Sequence, residues 1–394
     1  MRRVANLTAV PGEEVNPGQF VGKNRFEQAK AGNRAYLVAT SSREVPMSSS
    51  IQFSIIVTCH NQREFIAEAI ESALLQTYAN REVIIVDDAS TDGSKEVIAK
   101  YSDFAQVVRL EKNAGAAGAR NAGTSIAEGR YLAFLDGDDR LKPWALEIYE
   151  RIVREYQPKL ILATLTWFRG IAPVCLGTIA PQEIEVVNYH CLAQKDRSYR
   201  SSASALVIER NAFDSVAGWA REACPFEDQH LEAKLALAGR AITVLNPQTV
   251  FYRLHDNNTI HNVQKIVTGC YGFVSAGLPR VGSLGVGAWL GRNAIIGGPA
   301  MWAVKKAFAA GLYGQGVKLF VRVSPWVAAA AIARLRARIE GQRPTQKLRL
   351  GPPIEQMPQQ AETLTAMIKP PLGAAARTFR NSEPQGSRPS SRSN

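Results

Sequence analysis

Three carboxylates share one turn in Leu135-Asp136-Gly137-Asp138-Asp139, directly after an apolar run. Mutual repulsion makes such a cluster costly unless a cation intervenes, and carboxylate oxygens suit a hard divalent ion such as Mn2+ or Mg2+. Asp and Gly are also ordinary turn formers, so a solvated turn is the competing reading. A second segment, Lys112-Asn113-Ala114-Gly115-Ala116-Ala117-Gly118-Ala119-Arg120-Asn121, opens a helix after a strand. Its glycines permit close backbone approach, its helix start favours an anion, and Arg120 adds a cation, which together suit a diphosphate; a tightly packed helix entry is the plainer account. The spacing is not G-x-G-x-x-G, and no G-x-x-x-x-G-K-[ST] loop occurs anywhere.

Asp87-Asp88-Ala89-Ser90-Thr91-Asp92 ends another apolar run. Ser90 or Asp92 can cap the helix that follows, but two adjacent acids are more than a cap needs. One of them can accept from a nucleobase N–H, and Thr58 or Asn61 can bond the base or ribose. Glu227-Asp228 opens a later helix, where acids are favourable with the helix dipole; a carboxylate there also serves as a general base if it faces a cleft. His255, after Tyr252-Arg253-Leu254, offers a metal ligand or a cation, although most lone histidines are structural or exposed.

These groups need a frame to bring them together. The hydrophobic pattern predicts strands at Phe53–Cys59, Val83–Val86, Gln106–Leu110 and Tyr131–Leu135, with Ile66, Ile70, Ala73, Leu74 and Tyr78 at helical spacing. Helices are expected over Lys95–Tyr101 and Ala116–Ala127. Trp144–Tyr156 reads as a helix, Leu160–Leu165 and Ala203–Glu209 as strands, Asp228–Ala238 as a helix, and Ile242–Leu245 and Val250–Arg253 as strands. Short buried strands alternating with amphipathic helices argue for an α/β fold with an open, mostly parallel sheet, in which ligands gather beyond the carboxyl ends of the strands. Several polar groups fall at such strand ends: Thr58 and Asn61 at the first, Asp87 and Asp88 after the second, Asn113 to Arg120 after the third, and Asp136, Asp138 and Asp139 after the fourth.

The chain has 394 residues, 46% hydrophobic and 21% charged, which excludes a wholly disordered or collagen-like protein. Its net charge of +12 comes from one end: residues 292–394 hold 16 Lys/Arg and 4 Asp/Glu, whereas 1–291 is balanced. A basic end suits an anionic membrane surface or nucleic acid, or is simply solvated, and no nucleic-acid module accompanies it. The five cysteines are widely spaced without a CxxC pair, implying neither a zinc site nor a disulfide framework. No apolar core follows the basic residues of Met1–Asn16, so a secretory leader is not expected and a cytoplasmic setting is. The apolar runs of 284–340 are broken by Arg292, Lys305, Lys306, Lys318 and Arg322, and none is read as reaching the about 18–20 residues of a membrane span. Ser324-Pro325 reads as the start of a helix, with Trp326–Ile339 either lying on a membrane or docked on the domain. Residues 1–50 read as a partly disordered extension, 256–340 as helical, and 341–394 as a disordered basic tail.

Taken in order, Ser54-Ile55-Ile56-Val57-Thr58-Cys59-His60-Asn61, Ser72 to Tyr78, Glu82 to Asp92, Asn113 to Asn121, Phe134 to Asp139 and Glu227-Asp228 resemble the family 2 glycosyltransferases, inverting enzymes of the GT-A fold that use nucleotide-activated sugars. The resemblance spans roughly Gln52 to His255. It implies a GT-A domain over 51–255, with a nucleotide-binding half at 51–140 and an acceptor half at 141–255. It further implies that Thr58, Asn61, Asp87, Asp88, Asn113, Gly115, Arg120 and Asp136 contact the nucleotide, that Asp136, Asp138 and His255 hold Mn2+ or Mg2+, and that Asp228 with Glu227 is catalytic. The implied donor is a nucleotide-diphosphate sugar, UDP-linked by preference, and the implied acceptor a glycan, a lipid-linked sugar or a protein in cell-surface glycan synthesis. Peripheral membrane contact would fall to 284–340, at the inner face of the plasma membrane. A non-catalytic nucleotide-sugar-binding scaffold is the alternative. A processive synthase is disfavoured, because no Gln-x-x-Arg-Trp segment is present. The sequence departs from the family at Cys59-His60 and at Ala89, where Gly is common.

Overall fold

The computed structural model describes residues 26–31, 34–39, 53–170, 173, 180–188, 202–256, 258–276, 286–339 and 346–349. The chain divides into two units, 1–50 and 51–394. In the first, β1 (Phe26–Ala31) and β2 (Arg34–Ala39) pair antiparallel with Phe26 opposite Ala39 and Ala31 opposite Arg34. The expected extension over 1–50 thus contains a pair of strands, which the sequence pattern did not mark. Gly32-Asn33, between the strands in sequence, is a dipeptide typical of two-residue hairpin connections.

The second unit is built on a nine-stranded sheet. One half consists of β3 (Phe53–Cys59), β4 (Arg81–Asp87), β5 (Gln106–Arg109) and β6 (Tyr131–Asp136), all mutually parallel in the order β6-β3-β4-β5. The strand β7 (Arg140–Leu141) belongs to a small second sheet. The main sheet continues through β8 (Leu160–Leu162), β10 (Glu183–Asn188), β11 (Leu206–Glu209), β12 (Ala241–Asn246) and β14 (Gln346–Arg349), in the overall order β14-β10-β12-β8-β11-β6-β3-β4-β5. Only β10 and β11 run against the rest, so the sheet is mostly parallel, as the alternating pattern required.

Alternation along β3 explains why both faces are covered. Phe53, Ile55 and Val57 pack with α1 (Ile66–Leu74) and α4 (Ala145–Tyr156), while Ile56 packs on the other face with α3 (Gly115–Ile126), α5 (Arg210–Ser215) and α6 (Glu227–Ala238). Each covering helix buries one stripe, such as Ile66, Ala69, Ile70, Ala73 and Leu74 in α1. The short α2 (Ser94–Ala99) adds Ile98 to the first face. At about 25 cal/mol per Å2 of apolar surface, burying one such Ile or Leu contributes about 1.5–3 kcal/mol.

The expected strand Leu160–Leu165 is two strands in two sheets. After Leu162 the chain leaves the main sheet, and β9 (Leu165–Phe168) pairs in parallel with β13 (Val250–Arg253), which also pairs with β7. Thr164 at the switch donates its hydroxyl to the Leu245 carbonyl. A run of apolar residues carries no mark of that change of partner. The start expected for Ala203–Glu209 is instead a 3-10 turn, Ala203–Ala205.

A third core lies among α7 (Val263–Ala276), α8 (Val286–Ala309) and α9 (Tyr313–Ile339), with Phe226, Phe273, Val304, Leu319 and Val323 at its centre. Here α9 runs through Pro325 rather than starting at it. Proline has no N–H for the carbonyl of Val321 one turn back, and the Ser324 hydroxyl donates to that oxygen instead, 2.9 Å away. Within α9, Tyr313–Ala333 is 21 residues long with mean hydropathy 1.4 and is 33% buried, so by length and composition it could cross a membrane. This revises the expectation that no run reaches that length: Lys318 and Arg322 punctuate the stretch without offsetting its apolar residues. One further revision concerns the tail, where β14 pairs antiparallel with β10 in a register that sets Glu183 opposite Arg349 and Glu185 opposite Lys347. The remainder of 341–394 lies outside the described residues.

Candidate active site

At the carboxyl ends of β3, β4 and β6 opens a cleft of about 950 Å3. Thr58, Asn61, Asp88, Gly115, Arg120, Asp136, Asp138, Glu227, Asp228 and His255 all line it. Acids separated by some 140 positions in sequence, Asp88 to Asp228, therefore face one space, the convergence that a parallel sheet produces at its strand ends. Two of the expected residues do not line it. Asp87 is fully buried under the loop, its Oδ1 accepting the Ser90 N–H. Asn113 stands outside the lining, its Oδ1 accepting the Gly115 N–H and its amide nitrogen 2.9 Å from His60 Nε2.

Backbone conformation builds the loops at the rim. Gly115 opens α3 with φ +72°, in the left-handed region that suits glycine. Ala89 adopts φ 54° without that freedom, at the position where the family resemblance favours Gly. Asn61 also has a positive φ of 54°, which asparagine tolerates, and its Oδ1 accepts the Thr91 N–H at 2.8 Å. Asp88 Oδ1 accepts the Ala114 N–H at 2.6 Å, tying β4 to the start of α3. The Thr58 hydroxyl donates to Asp136 Oδ1 at 3.4 Å, so β3 and β6 are also tied at the cleft.

The acidic turn is clamped from several sides. Gly137 donates its N–H to the Thr58 carbonyl at 2.9 Å, and a Cβ there would come within 2.6 Å of Gln62 Oε1 and 2.9 Å of that carbonyl, so no side chain fits. Asp139 is buried and turned away from the cleft, accepting from the Ser204 hydroxyl and the Arg253 N–H. Burial, with Asp138 and Asp136 nearby, pushes its carboxyl well above the usual range. Asp138 instead faces the cleft, with Oδ2 2.9 Å from His255 Nε2. The His255 ring lies on Phe65 with centroids 5.1 Å apart. Arg253 fixes this side: it donates to the carbonyls of Asp138 and Gly170 and to Glu68, and its guanidinium lies between Phe65 and Phe168.

Asp138 and His255 supply one carboxylate oxygen and one imidazole nitrogen to the same spot, a donor set that suits Mn2+ or Mg2+ when substrate phosphates and water complete the shell. Among the described residues no group of three or more His, Cys, Asp or Glu is arranged to hold a metal by itself. The expected third ligand, Asp136, is engaged otherwise: its Oδ1 lies 2.6 Å from Arg120 Nη2. Arg120 Nη1 reaches Glu227 Oε1 at 3.1 Å, and the guanidinium sits 4.7 Å from the Trp219 ring centre. Burial alone would favour the neutral form of Arg120, but Asp136 and Glu227 outweigh it and the net shift is upward. The residue expected at the diphosphate is therefore a buried cross-link between two acids.

That cross-link distinguishes the acidic pair of α6. Glu227 is buried and ion-paired, whereas Asp228 opens onto the cleft, accepts only the Gln229 N–H through Oδ1, and makes no ion pair among the described residues. Desolvation and the neighbouring Glu227 push the Asp228 carboxyl up to about 8. A carboxylate of that basicity, facing a cleft, is suited to taking a proton near neutral pH. Burial also pushes the Cys59 and Cys224 thiols up to about 11, so neither is a ready nucleophile or metal ligand.

Three contributors lie beyond the sequence reading. His60 joins the rim loops through the Asp88 carbonyl at 2.7 Å and Asn113. Ser204 holds both ends of the acidic turn, donating to Asp139 and accepting the Asp136 N–H at 3.0 Å. Lys265, Lys305 and Lys306 also line the cleft. In the sequence His60 stands out only as a departure from the family pattern, and Ser204 only as one of the serines in Ser201-Ser202-Ala203-Ser204.

Residues 54–164 match the family described as Glycosyl transferase family 2. Among curated proteins, the chain is 44% identical over 97 residues to TuaG of Bacillus subtilis (strain 168), named as a putative teichuronic acid biosynthesis glycosyltransferase, covering 24% of this chain and 38% of that one. It is 49% identical over 88 residues to WfaP of Escherichia coli, named as a UDP-Glc:alpha-D-GlcNAc-diphosphoundecaprenol beta-1,3-glucosyltransferase, covering 22% and 35%. The chain thus matches little more than a third of the length of these relatives. Similar solved structures include the mannosyltransferase PcManGT from Pyrobaculum calidifontis in complex with GDP-Man and Mn2+ (TM-score 0.45, 18% identity, 73% of this chain and 88% of that chain). Another is S. aureus TarS 1-349 in complex with UDP-GlcNAc (TM-score 0.45, 15% identity, 74% and 92%).

Proposed function

We propose that the chain, whose residues 54–164 match the family described as Glycosyl transferase family 2, is an inverting glycosyltransferase that moves a sugar from a nucleoside-diphosphate donor to a hydroxyl of a lipid-linked or glycan acceptor. The observation that carries this reading is the cleft itself: a basic, unpaired Asp228 and the Asp138–His255 pair line one space. The acceptor hydroxyl loses its proton to Asp228 as its oxygen forms a bond to the anomeric carbon. The bond from that carbon to the donor diphosphate breaks on the opposite face, and the nucleoside diphosphate leaves with the electron pair. Inversion follows from this single displacement, with no covalent enzyme intermediate. Asp138 and His255 would hold a divalent cation, whose positive charge offsets the charge developing on the leaving diphosphate. Arg120 positions the acids by holding Asp136 and Glu227 apart from that charge. Thr58 and Asp88 take the nucleoside, with Asn61 and Gly115 shaping the rim.

The relatives' names favour a UDP-sugar donor and a role in cell-surface glycan assembly. Membrane contact through 284–340, at the cytoplasmic face, is supported by the exposed apolar residues Tyr313, Val317, Phe320, Val321 and Ile332 along α9 and by the complete lack of Asp and Glu between Asp256 and Glu340. A thermal-shift screen of nucleoside diphosphates with and without Mn2+ identifies the donor base: UDP stabilises, and more so with Mn2+. Asp228→Asn then lowers transfer by about 10^2–10^4-fold while leaving UDP stabilisation intact. Full transfer by that variant would remove Asp228 from the reaction.

A further inference from the structure

The cleft is lined by bases as well as acids. Lys265 of α7 and Lys305 and Lys306 of α8 line it, with Met301 and Trp302 among the same lining residues. None of these lysines has an ion-pair partner among the described residues. Residues 257–339, to which they belong, hold ten Lys and Arg and no acid. Lys306 Nζ lies 5.7 Å from the Trp302 ring centre, a contact that leaves its charge in place. Cations without acidic partners on a concave surface concentrate field for an anion, and Arg120 does not compete for that anion, because its charge is already neutralised. Lys265, Cys224 and Glu227 line the same cleft. Lys305 and Lys306 stand less than a turn before the exposed Phe308, whose ring lies 6.2 Å from that of Tyr313. The cationic lining therefore passes into an apolar surface, which continues through Val317, Phe320 and Val321. A ligand matching both is anionic at one end and apolar at the other.

We propose that Lys265, Lys305 and Lys306 form the subsite for the diphosphate of the acceptor, a sugar carried on a lipid diphosphate, with Trp302 and Met301 against the first part of its apolar chain. This assignment rests on the transferase reading and names the acceptor class for it. The attacking hydroxyl then lies on the sugar, toward Asp228, while the diphosphate that links sugar to lipid stays bound and intact.

Calorimetric titration of the full chain, saturated with UDP and Mn2+, tests the subsite with farnesyl diphosphate, farnesol and inorganic pyrophosphate as probes. Farnesyl diphosphate is expected to bind at least about tenfold more tightly than either of the others, each of which lacks one half of the contact. Replacing all three lysines by Gln should weaken farnesyl diphosphate by about tenfold or more, whereas replacing all three by Arg should retain it, and UDP affinity should be unchanged in both. Equal binding of farnesol, or undiminished binding by the Gln variant, overturns the anion subsite. Equal binding of inorganic pyrophosphate overturns the lipid half, leaving a soluble phosphate as ligand. A parallel loss of UDP binding assigns the lysines to the donor and overturns the proposal. Failure of the wild-type chain to bind UDP, by contrast, strikes the donor reading alone, since the probes still report on the lysines.

Discussion

Asp228 is basic because it is desolvated and has Glu227 beside it, and the same causes make it a burden on the fold. With the folded carboxyl raised above its unfolded value to about 8, the folded state holds the proton more tightly. Its contribution to stability is present below the unfolded value and is lost as pH rises through the folded one. Activity has the opposite slope, since the base must be unprotonated, so kcat/KM should climb between about pH 6 and 8 with the limb set by this group. Asp228→Asn, though impaired in transfer, should therefore melt higher than wild type at pH 9, with the two converging toward pH 4; equal Tm values at both pH values would refute the shift. Ala89 supplies a second case of local cost. Its left-handed backbone costs a non-glycine residue about 1–2 kcal/mol, and glycine loses about 0.4–1 kcal/mol through unfolded-chain entropy. Ala89→Gly should thus raise unfolding free energy by about 0.5–1 kcal/mol in urea titration.

At the level of elements, the acidic turn after β6 has no slack. Gly137→Ala must push its Cβ against Gln62 and the Thr58 carbonyl, and should cost about 1–3 kcal/mol as overpacking does elsewhere. Asp138 moves with the turn, so the Mn2+ dependence of UDP binding should weaken as well, readable by thermal shift. The elements themselves are largely readable from the sequence: Val250–Arg253 coincides with its expected bounds, and α3, α4 and α6 start within one residue of theirs. Periodicity reports burial, and these elements are buried on defined faces. What it does not report is partnership. Leu160 to Leu165 is uniformly apolar whether its strands share one sheet or two, and Arg120 looks like a phosphate ligand until its two acids are seen beside it. Pro325 misleads for a related reason, since the compensating Ser324 hydroxyl is a local bond that no spacing rule anticipates.

On the scale of the molecule, basic and apolar surface coincide on α9. Association with vesicles containing anionic lipid should weaken as salt rises, by screening of Lys318 and Arg322, and Phe320→Ser with Val321→Ser should reduce it about tenfold or more. Co-sedimentation that ignored both changes would exclude this face. The Arg120 bridge joins distant parts of the same molecule: Asp136 ends a central strand, and Glu227 begins a helix more than ninety positions later. Replacing Arg120 with Met strands two carboxylates, whereas replacing it together with Glu227→Gln strands one, so the double variant should be less damaged than the sum of the singles. Such epistasis binds the three positions into one inheritance: drift at any of them is tolerated only when the others have already changed.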